Sequence, residues 1–357
     1  MKQSVREPPR RVAFYYGGPR EPNDQTNPYG GLLADALGRA GVQVRFETAF
    51  DEAWLGQHVG LIDVLHLHWP SHQYRGPDDA TTEGQMRRMV ERLGLARELG
   101  YRVVWTAHNI YPHDRTYADI DRRFRLELGQ AADSIIAHCE LAADAVRREF
   151  EPTARIFVIP HGNFIGVLEA TVTREEARAA AGIGPDDFVY GFIGNLLPYK
   201  GLEELIAVFR QVDPGDSWLL ISGGCRPDYA TTLRGLAAGH PRIDIRAFDY
   251  APGVEFVRVL QASEVVVLPF RASTTSGSLV QALSWPRPAL VPAMGCLPTQ
   301  MDAGAGILYP PDEPGALARA MREIRTRDLD AARAAAWGCA ERADWDGIAK
   351  LTIEAYR

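Results

Sequence analysis

Residues 188–211, FVYGFIGNLLPYKGLEELIAVFRQ, contain the unit from which this chain is built. Phe188 to Ile193 is a short apolar and aromatic run without polar alternation, which predicts a strand buried on both faces. Gly194 breaks the run, and the loop continues through Pro198 to Gly201. From Leu202 to Gln211 apolar residues recur three and four apart, the spacing of an amphipathic helix. A strand, a glycine-bounded loop and a helix in that order predict a parallel sheet covered by helices, because parallel neighbours need a crossover between them.

The same unit recurs on both sides. Downstream, strands are predicted at Trp218–Ser222, Ile243–Ala247, Val265–Leu268 and Ala289–Val291, with helices over 228–238 and 254–262 and another starting at Ser276. Upstream, strands are predicted at Arg11–Tyr16, Val42–Phe46, Val64–Trp69, Val103–Ala107, Ser134–Ala137 and Ile156–Ile159, again separated by helical stretches. The alternation pauses near 165–173 and restarts at the helix opening with Arg174. This pattern predicts an α/β protein of two doubly wound domains, residues 1–165 and 174–335, followed by a largely helical tail. A length of 357 residues is enough for two cores.

Composition excludes several classes. With 46% hydrophobic and 24% charged residues the chain is not of the disordered type. No apolar run approaches the roughly 20 residues of a membrane helix. A net charge of −7 disfavours nucleic acid as a partner, since phosphate binding needs a basic surface. The four cysteines, Cys139, Cys225, Cys296 and Cys339, form no CxxC pair, so no zinc site is expected. The charged start, without a following apolar segment, gives a cytoplasmic expectation. The arginines at 87–88, 122–125 and 147–148 read mainly as solvated helix faces, with peripheral contact to anionic lipid as the alternative.

In open α/β sheets, ligands bind beyond the carboxyl ends of the strands. Three loops of the second half stand out there. Asn195 to Lys200 lies between Gly194 and Gly201. Lysine is scarce: of 39 basic residues only Lys2, Lys200 and Lys350 are lysines. A lysine at the start of a helix adds its charge to the helix's positive end and suits an anion, a diphosphate above all. Gly223 and Gly224 allow close approach of a ligand. Thr275, Ser276, Gly277 and Ser278 offer amides and hydroxyls at a helix N-terminus, a second anion cradle. Neither cradle matches the Walker or dinucleotide glycine fingerprints, which lowers ATP hydrolysis and NAD chemistry. In the first half, His66 and His68 share one strand face and read as lining or core residues, with no metal site expected. His108, His113 and Asp114 follow the next strand; histidine can hydrogen-bond a sugar or act as a base, and Asp114 can orient it or be the base itself.

Taken in order, Tyr29-Gly30-Gly31, TAHN at 106–109, IPHGN at 159–163, GNLLPYKG at 194–201, VVLPF at 266–270 and TSGSLVQALSWPRPAL at 275–290 resemble the GT-B glycosyltransferases. The likeness covers nearly the whole chain and is greatest to family-4-like bacterial transferases, some of which mannosylate exopolysaccharide or glycolipid intermediates. It implies two Rossmann-like domains facing across a cleft, an acceptor domain and a donor domain, with residues 336–357 crossing back onto the first. It implies a metal-independent hexosyltransferase that uses a GDP- or UDP-sugar as co-substrate, with no further cofactor. The acceptor is then a saccharide, glycolipid or natural-product hydroxyl. Lys200 with Ser276, Gly277 and Ser278 would hold the donor diphosphate, His108 would lie near the transferred sugar, and Gly30 and Gly31 near the donor phosphate or reaction centre. Two positions depart from the family pattern. Asn195 replaces a basic residue, and Ser273 and Gln281 stand where retaining members carry glutamates. Stereochemistry therefore stays open, with His108, His113 or Asp114 as the base of an inverting reaction. Gln281 could still hydrogen-bond a ribose hydroxyl. A sugar-nucleotide epimerase of the same fold and a non-catalytic sugar-nucleotide-binding scaffold are the alternatives. The sequence does not give the oligomeric state.

Overall fold

A computed structural model describes residues 10–16, 27–112 and 115–357. The chain divides into two units, Met1–Gly162 with Ala343–Arg357, and Asn163–Arg342.

The first unit carries a six-stranded sheet of β1 (Arg11–Tyr15), β2 (Gln43–Phe46), β3 (Val64–Leu67), β4 (Arg102–Thr106), β5 (Ser134–Ala137) and β6 (Arg155–Val158). Its order is β2-β1-β3-β4-β5-β6 and every pairing is parallel. Strands β3 and β5 are buried at every position. That is the burial expected of central parallel strands packed by helices on both faces. Tyr15, Trp105, Phe124 and Phe150 anchor the core. The chain order reverses between β1 and β3, which makes the carboxyl end of that pair the switch point of this sheet.

The second unit repeats the plan with β7 (Phe188–Ile193), β8 (Ser217–Gly224), β9 (Ile243–Phe248), β10 (Val265–Val267), β11 (Ala289–Pro292) and β12 (Gly306–Tyr309). The order is β12-β11-β10-β7-β8-β9, again all parallel. Its switch point lies between β7 and β10. Phe192, Phe209, Leu219 and Val266 are fully buried in its core.

Several boundaries differ from the sequence reading. β12 and the helix Ala316–Ile324 escape it, because GILY is a short apolar run between Gly306 and Pro310 with no alternation to mark it. The helix expected from Leu32 begins at Tyr29, so Gly30 and Gly31 sit in its first turn. The tail is two helices rather than one returning segment. Leu329–Arg342 buries Ala336, Cys339 and Ala340 in the second unit's core. Only Trp345–Ala355 belongs to the first unit. There Trp345 stacks edge-on against Tyr29 with centroids 5.3 Å apart, and Asp346 pairs with Arg39 at 2.7 Å. A Cβ on Gly162 would lie 2.4 Å from the Trp345 ring, so that glycine makes room for the indole. The arginine-rich helix faces are drawn into ion pairs: Arg87 and Arg123 share Glu83, Arg147 pairs with Asp144, and Arg125 is buried. Among the described residues no helix is long and apolar enough to cross a membrane.

Candidate active site

The two strands at the switch point of the second sheet, β7 and β10, are the ones followed by the lysine loop and the serine-rich loop. Their close approach is written into glycines. Gly194, at the end of β7, has φ +117°, and a Cβ there would meet the Ser278 hydroxyl at 2.4 Å. A Cβ on Gly223, near the end of β8, would lie 1.7 Å from the Gly194 carbonyl oxygen. Gly201 has φ +72° and lies against the Pro269 carbonyl, where a Cβ would come within 2.0 Å. Any side chain at these positions would push the loops apart. The amide of Arg271 donates to the carbonyl of Tyr199 at 2.8 Å, which ties the loop after β10 to the lysine loop.

Lys200 closes that loop. Its Nζ lies 4.3 Å from the centroid of the Phe270 ring and 5.2 Å from that of Tyr199, so aromatic faces hold the ammonium. Among the described residues no carboxylate pairs with it. Desolvation without a counter-ion pushes its pKa down to about 8. Ser276 caps the helix Gly277–Ser284, its Oγ accepting from the Leu279 amide at 3.1 Å. The amides of Gly277 and Ser278 belong to the first turn, which has no intrahelical acceptors. Gln281, one turn on, is buried, and its Nε2 has no hydrogen-bond partner. Gly224 borders Asn195, whose Oδ1 would lie 2.9 Å from an added Cβ. The arrangement offers a cation, helix-tip amides and an unspent amide donor around one strand end. These are the groups that bind a diphosphate and stabilise it as a leaving group.

The first unit places a different chemistry at the same edge. One histidine follows each of four neighbouring strands: His68 after β3, His108 after β4, His138 after β5 and His161 after β6. His68 Nδ1 is 3.1 Å from His108 Nε2, His108 Nδ1 is 3.1 Å from His138 Nε2, and His138 Nδ1 is 3.0 Å from the Ile159 carbonyl oxygen. His161 Nδ1 meets the Gly162 carbonyl at 2.8 Å. His66 lies one turn of the pleat below and bridges Tyr356 and Thr106 at 2.8 and 2.7 Å. Tyr29 packs edge-on against His68, His108, His138 and His161, and Trp69 stacks on His108 with centroids 4.2 Å apart. Burial holds the row neutral. It pushes His138 down to about 4 and His161 and His66 to about 3, and it also drives His68 and His108 well below the usual histidine range. Among the described residues no group of three or more histidine, cysteine or acidic side chains is placed to hold a metal ion.

The structure therefore brings Asn195, Lys200, Gly223, Gly224 and Ser276 to Gln281 together at one strand edge of the second unit. Thr275 immediately precedes that helix cap. Gly30, Gly31 and His108 belong to the first unit, where Gly30 is packed so closely on Tyr16 that a Cβ would lie 2.7 Å from its ring. His113 and Asp114 lie outside the described residues. Sequence reasoning missed His138, and it saw His161 only as part of a motif. A signal was present: a histidine within three residues of the end of four successive strands.

Two parallel six-stranded α/β sheets are the GT-B architecture, and the comparisons with known proteins give the class of enzyme built on it. The model of the family "Glycosyl transferases group 1" matches residues 187–327. The GDP-mannose:glycolipid 4-beta-D-mannosyltransferase of Xanthomonas campestris pv. campestris is 31% identical over 346 residues, covering 94% of this chain and 89% of its own. The D-inositol 3-phosphate glycosyltransferase of Streptomyces avermitilis is 25% identical over 346 residues, with 92% and 72% covered. In fold, the chain is similar to sucrose-phosphate synthase from Thermosynechococcus elongatus (TM-score 0.73, 18% identity, 98% of each chain). It is also similar to Anabaena HepE in complex with UDP and glucose (TM-score 0.66, 16% identity, 97% and 98%). The chain belongs to the group 1 glycosyltransferases and is an enzyme that transfers a sugar from a nucleotide sugar.

Proposed function

We propose that this enzyme moves a hexose from a GDP-linked donor to a hydroxyl of a glycolipid, without a metal ion. The observation that carries the donor half is the Lys200 ammonium, desolvated against Phe270 with no acid among the described residues to pair with, beside the tip of the Gly277–Ser284 helix. A buried cation without a counter-ion is costly, and an incoming diphosphate relieves that cost. As the bond from sugar to phosphate breaks, negative charge grows on the diphosphate. A fixed ammonium and fixed amides stabilise it with little reorganisation. GDP and a glycolipid are preferred over UDP and a free saccharide because the mannosyltransferase named above is similar over most of its length. The neutral Ser273 and Gln281 favour an inverting course, in which the acceptor hydroxyl gives its proton to the protein. The acceptor's lipid would bring the enzyme to the inner face of a membrane by its substrate rather than by a span of its own.

The test is a thermal-shift series with GDP, UDP, ADP and dTDP, followed by GDP-mannose turnover against a lipid-linked saccharide in the presence of EDTA. A ligand that binds only the native state raises Tm. A selective rise with GDP and chelator-resistant transfer are expected. A rise with UDP alone would move the donor to a UDP-sugar, and no rise with any of the four would overturn the diphosphate site.

A further inference from the structure

The histidine row has a direction. Ile159 presents a carbonyl oxygen, which can only accept, so His138 Nδ1 carries the proton and donates to it across 3.0 Å. His138 is neutral, so its Nε2 is a bare lone pair, and the 3.1 Å contact there requires His108 Nδ1 to donate. His108 Nε2 is then bare in turn, and His68 Nδ1 must donate to it. Each ring fixes the tautomer of the next. Both nitrogens of His108 are spent inside the row, which leaves it poorly suited to act as the base. The row ends at His68 Nε2, a buried lone pair with no hydrogen-bond partner among the described residues, on a residue 1% exposed. That ring lies against Phe14 and Tyr16, on the β1 side, which places the side chain at the switch point between β1 and β3.

We propose that His68 is the catalytic base of the transfer, its Nε2 accepting the proton of the acceptor hydroxyl, with His108 and His138 as positioning residues that hold its tautomer. This rests on the reading of the enzyme as an inverting transferase. The acceptor oxygen forms its bond to the anomeric carbon, and the bond from that carbon to the diphosphate breaks with its electron pair leaving on phosphate. The hydroxyl proton goes to His68 Nε2. His68 can pass its Nδ1 proton to His108 Nε2, and His108 its own to His138 Nε2, so the positive charge ends on His138, whose Nδ1 keeps its own proton and donates it to the Ile159 carbonyl. Charge is least costly there, since that carbonyl favours the protonated ring. Among the described residues the titratable groups packed on His68 are His66, His108, His138, Tyr16 and Tyr29, and none of these is a carboxylate. The row therefore moves a proton without a fixed charge of its own.

The test uses the full chain labelled with nitrogen-15 in histidine, with GDP-mannose as donor and water as the acceptor. Nitrogen-to-ring-proton correlation spectra are expected to show His68, His108 and His138 all protonated at Nδ1, with His68 Nε2 at the position of a bare nitrogen. A His68 protonated at Nε2 would overturn the row. His68→Gln is expected to lower GDP release about 100-fold, with the GDP-induced rise in Tm kept. His138→Gln is expected to lower it less and to alter the His68 tautomer in the same spectra, which a merely structural role would not do. Wild-type GDP release by His68→Gln would refute the base. Loss of the GDP-induced Tm rise in the wild type would instead strike the donor reading, and the spectra would still decide the row.

Discussion

At the carboxyl edge of the second sheet one ammonium stands beside helix-tip amides. At the same edge of the first sheet the side chains are neutral rings, ordered by hydrogen bonds to one another. The two units share a plan of parallel strands and a switch point, yet one edge is cationic and the other neutral. On the proposed function, the difference follows the charge each would meet. A diphosphate brings negative charge, so a preformed cation is useful even at a cost in stability. A sugar hydroxyl is neutral and must lose a proton, so an aligned lone pair is useful and a fixed cation would oppose it. Glycine contacts set the geometry in the second unit, and mutual hydrogen bonding sets it in the first.

The largest break in this comparison is Lys200→Met. Turnover should fall by about 100-fold or more, the scale of losing one electrostatic donor from a catalytic site. Without ligand the melting temperature should hold or rise, because the variant loses an unpaired desolvated cation. Calorimetry of the free protein and a steady-state assay test both halves. A fall in free-protein Tm would mean that Lys200 serves the fold. The same lysine gives a pH signature. Its pKa near 8 is depressed in the free protein, so it is charged at neutral pH and loses charge as pH rises through about 8. GDP affinity should weaken on that side by up to about tenfold per pH unit.

Acid should break the other unit. All described histidines except His240 lie in the first unit, and its buried row is held neutral well below the usual range. The sign follows from proton counts. Between the unfolded value near 6.5 and the folded values near 3 to 4, the unfolded state binds more protons. Stability from these groups is therefore full above about pH 6.5 and is lost progressively as pH falls below it. Hydrogen exchange at neutral pH and at about pH 5 should show amides of β3 to β6 losing protection while those of β7 to β10 keep it. Equal loss in both sheets would show that the row does not govern acid sensitivity.

Much of this contrast was legible in the sequence, though unevenly. Lys200 was conspicuous because lysine is rare, and Gly194, Gly201 and Gly223 because glycine at a strand end marks close approach. Those signals are local. The histidine row is not local: His68, His108, His138 and His161 follow one another at intervals of 40, 30 and 23 residues and become neighbours only once the strand order is known. His66 and His68 looked like a pair because they share a strand, but each is hydrogen-bonded to other elements instead. The Ser276 Oγ accepts from the Leu279 amide as the cap of its own helix, and its O–H is still free to donate beside the amides of Gly277 and Ser278. Gly30 has a packing role that its motif does not announce: it makes room for the Tyr16 ring.

A smaller effect sharpens the geometric half of the comparison. Gly201→Ala places a methyl in a left-handed backbone conformation and against the Pro269 carbonyl. It should cost about 1–3 kcal/mol of second-unit stability, the usual scale of overpacking. It should also weaken GDP binding, since Lys200 is the adjacent residue. Denaturant midpoints and isothermal titration separate the two. A stability loss with unchanged affinity would mean that the loop relaxes away from the lysine.

The smallest effect concerns Gln281, and it asks whether the second unit's unpaired groups are all of one kind. Its Nε2 is buried with no partner, an arrangement that costs stability in the free protein. Gln281→Leu removes that cost with a side chain of similar reach, so the free protein should be as stable or slightly more so. If the amide is kept to donate to a hydroxyl of the bound nucleotide, GDP affinity should drop by about 2- to 12-fold, the equivalent of one ordinary hydrogen bond. Lys200 and Gln281 would then behave alike, each trading stability for ligand, and a deoxyribose analogue should bind wild type and variant with nearly equal affinity. An unchanged affinity for GDP would separate them, leaving the lysine as a ligand group and the glutamine as a polar residue of the core.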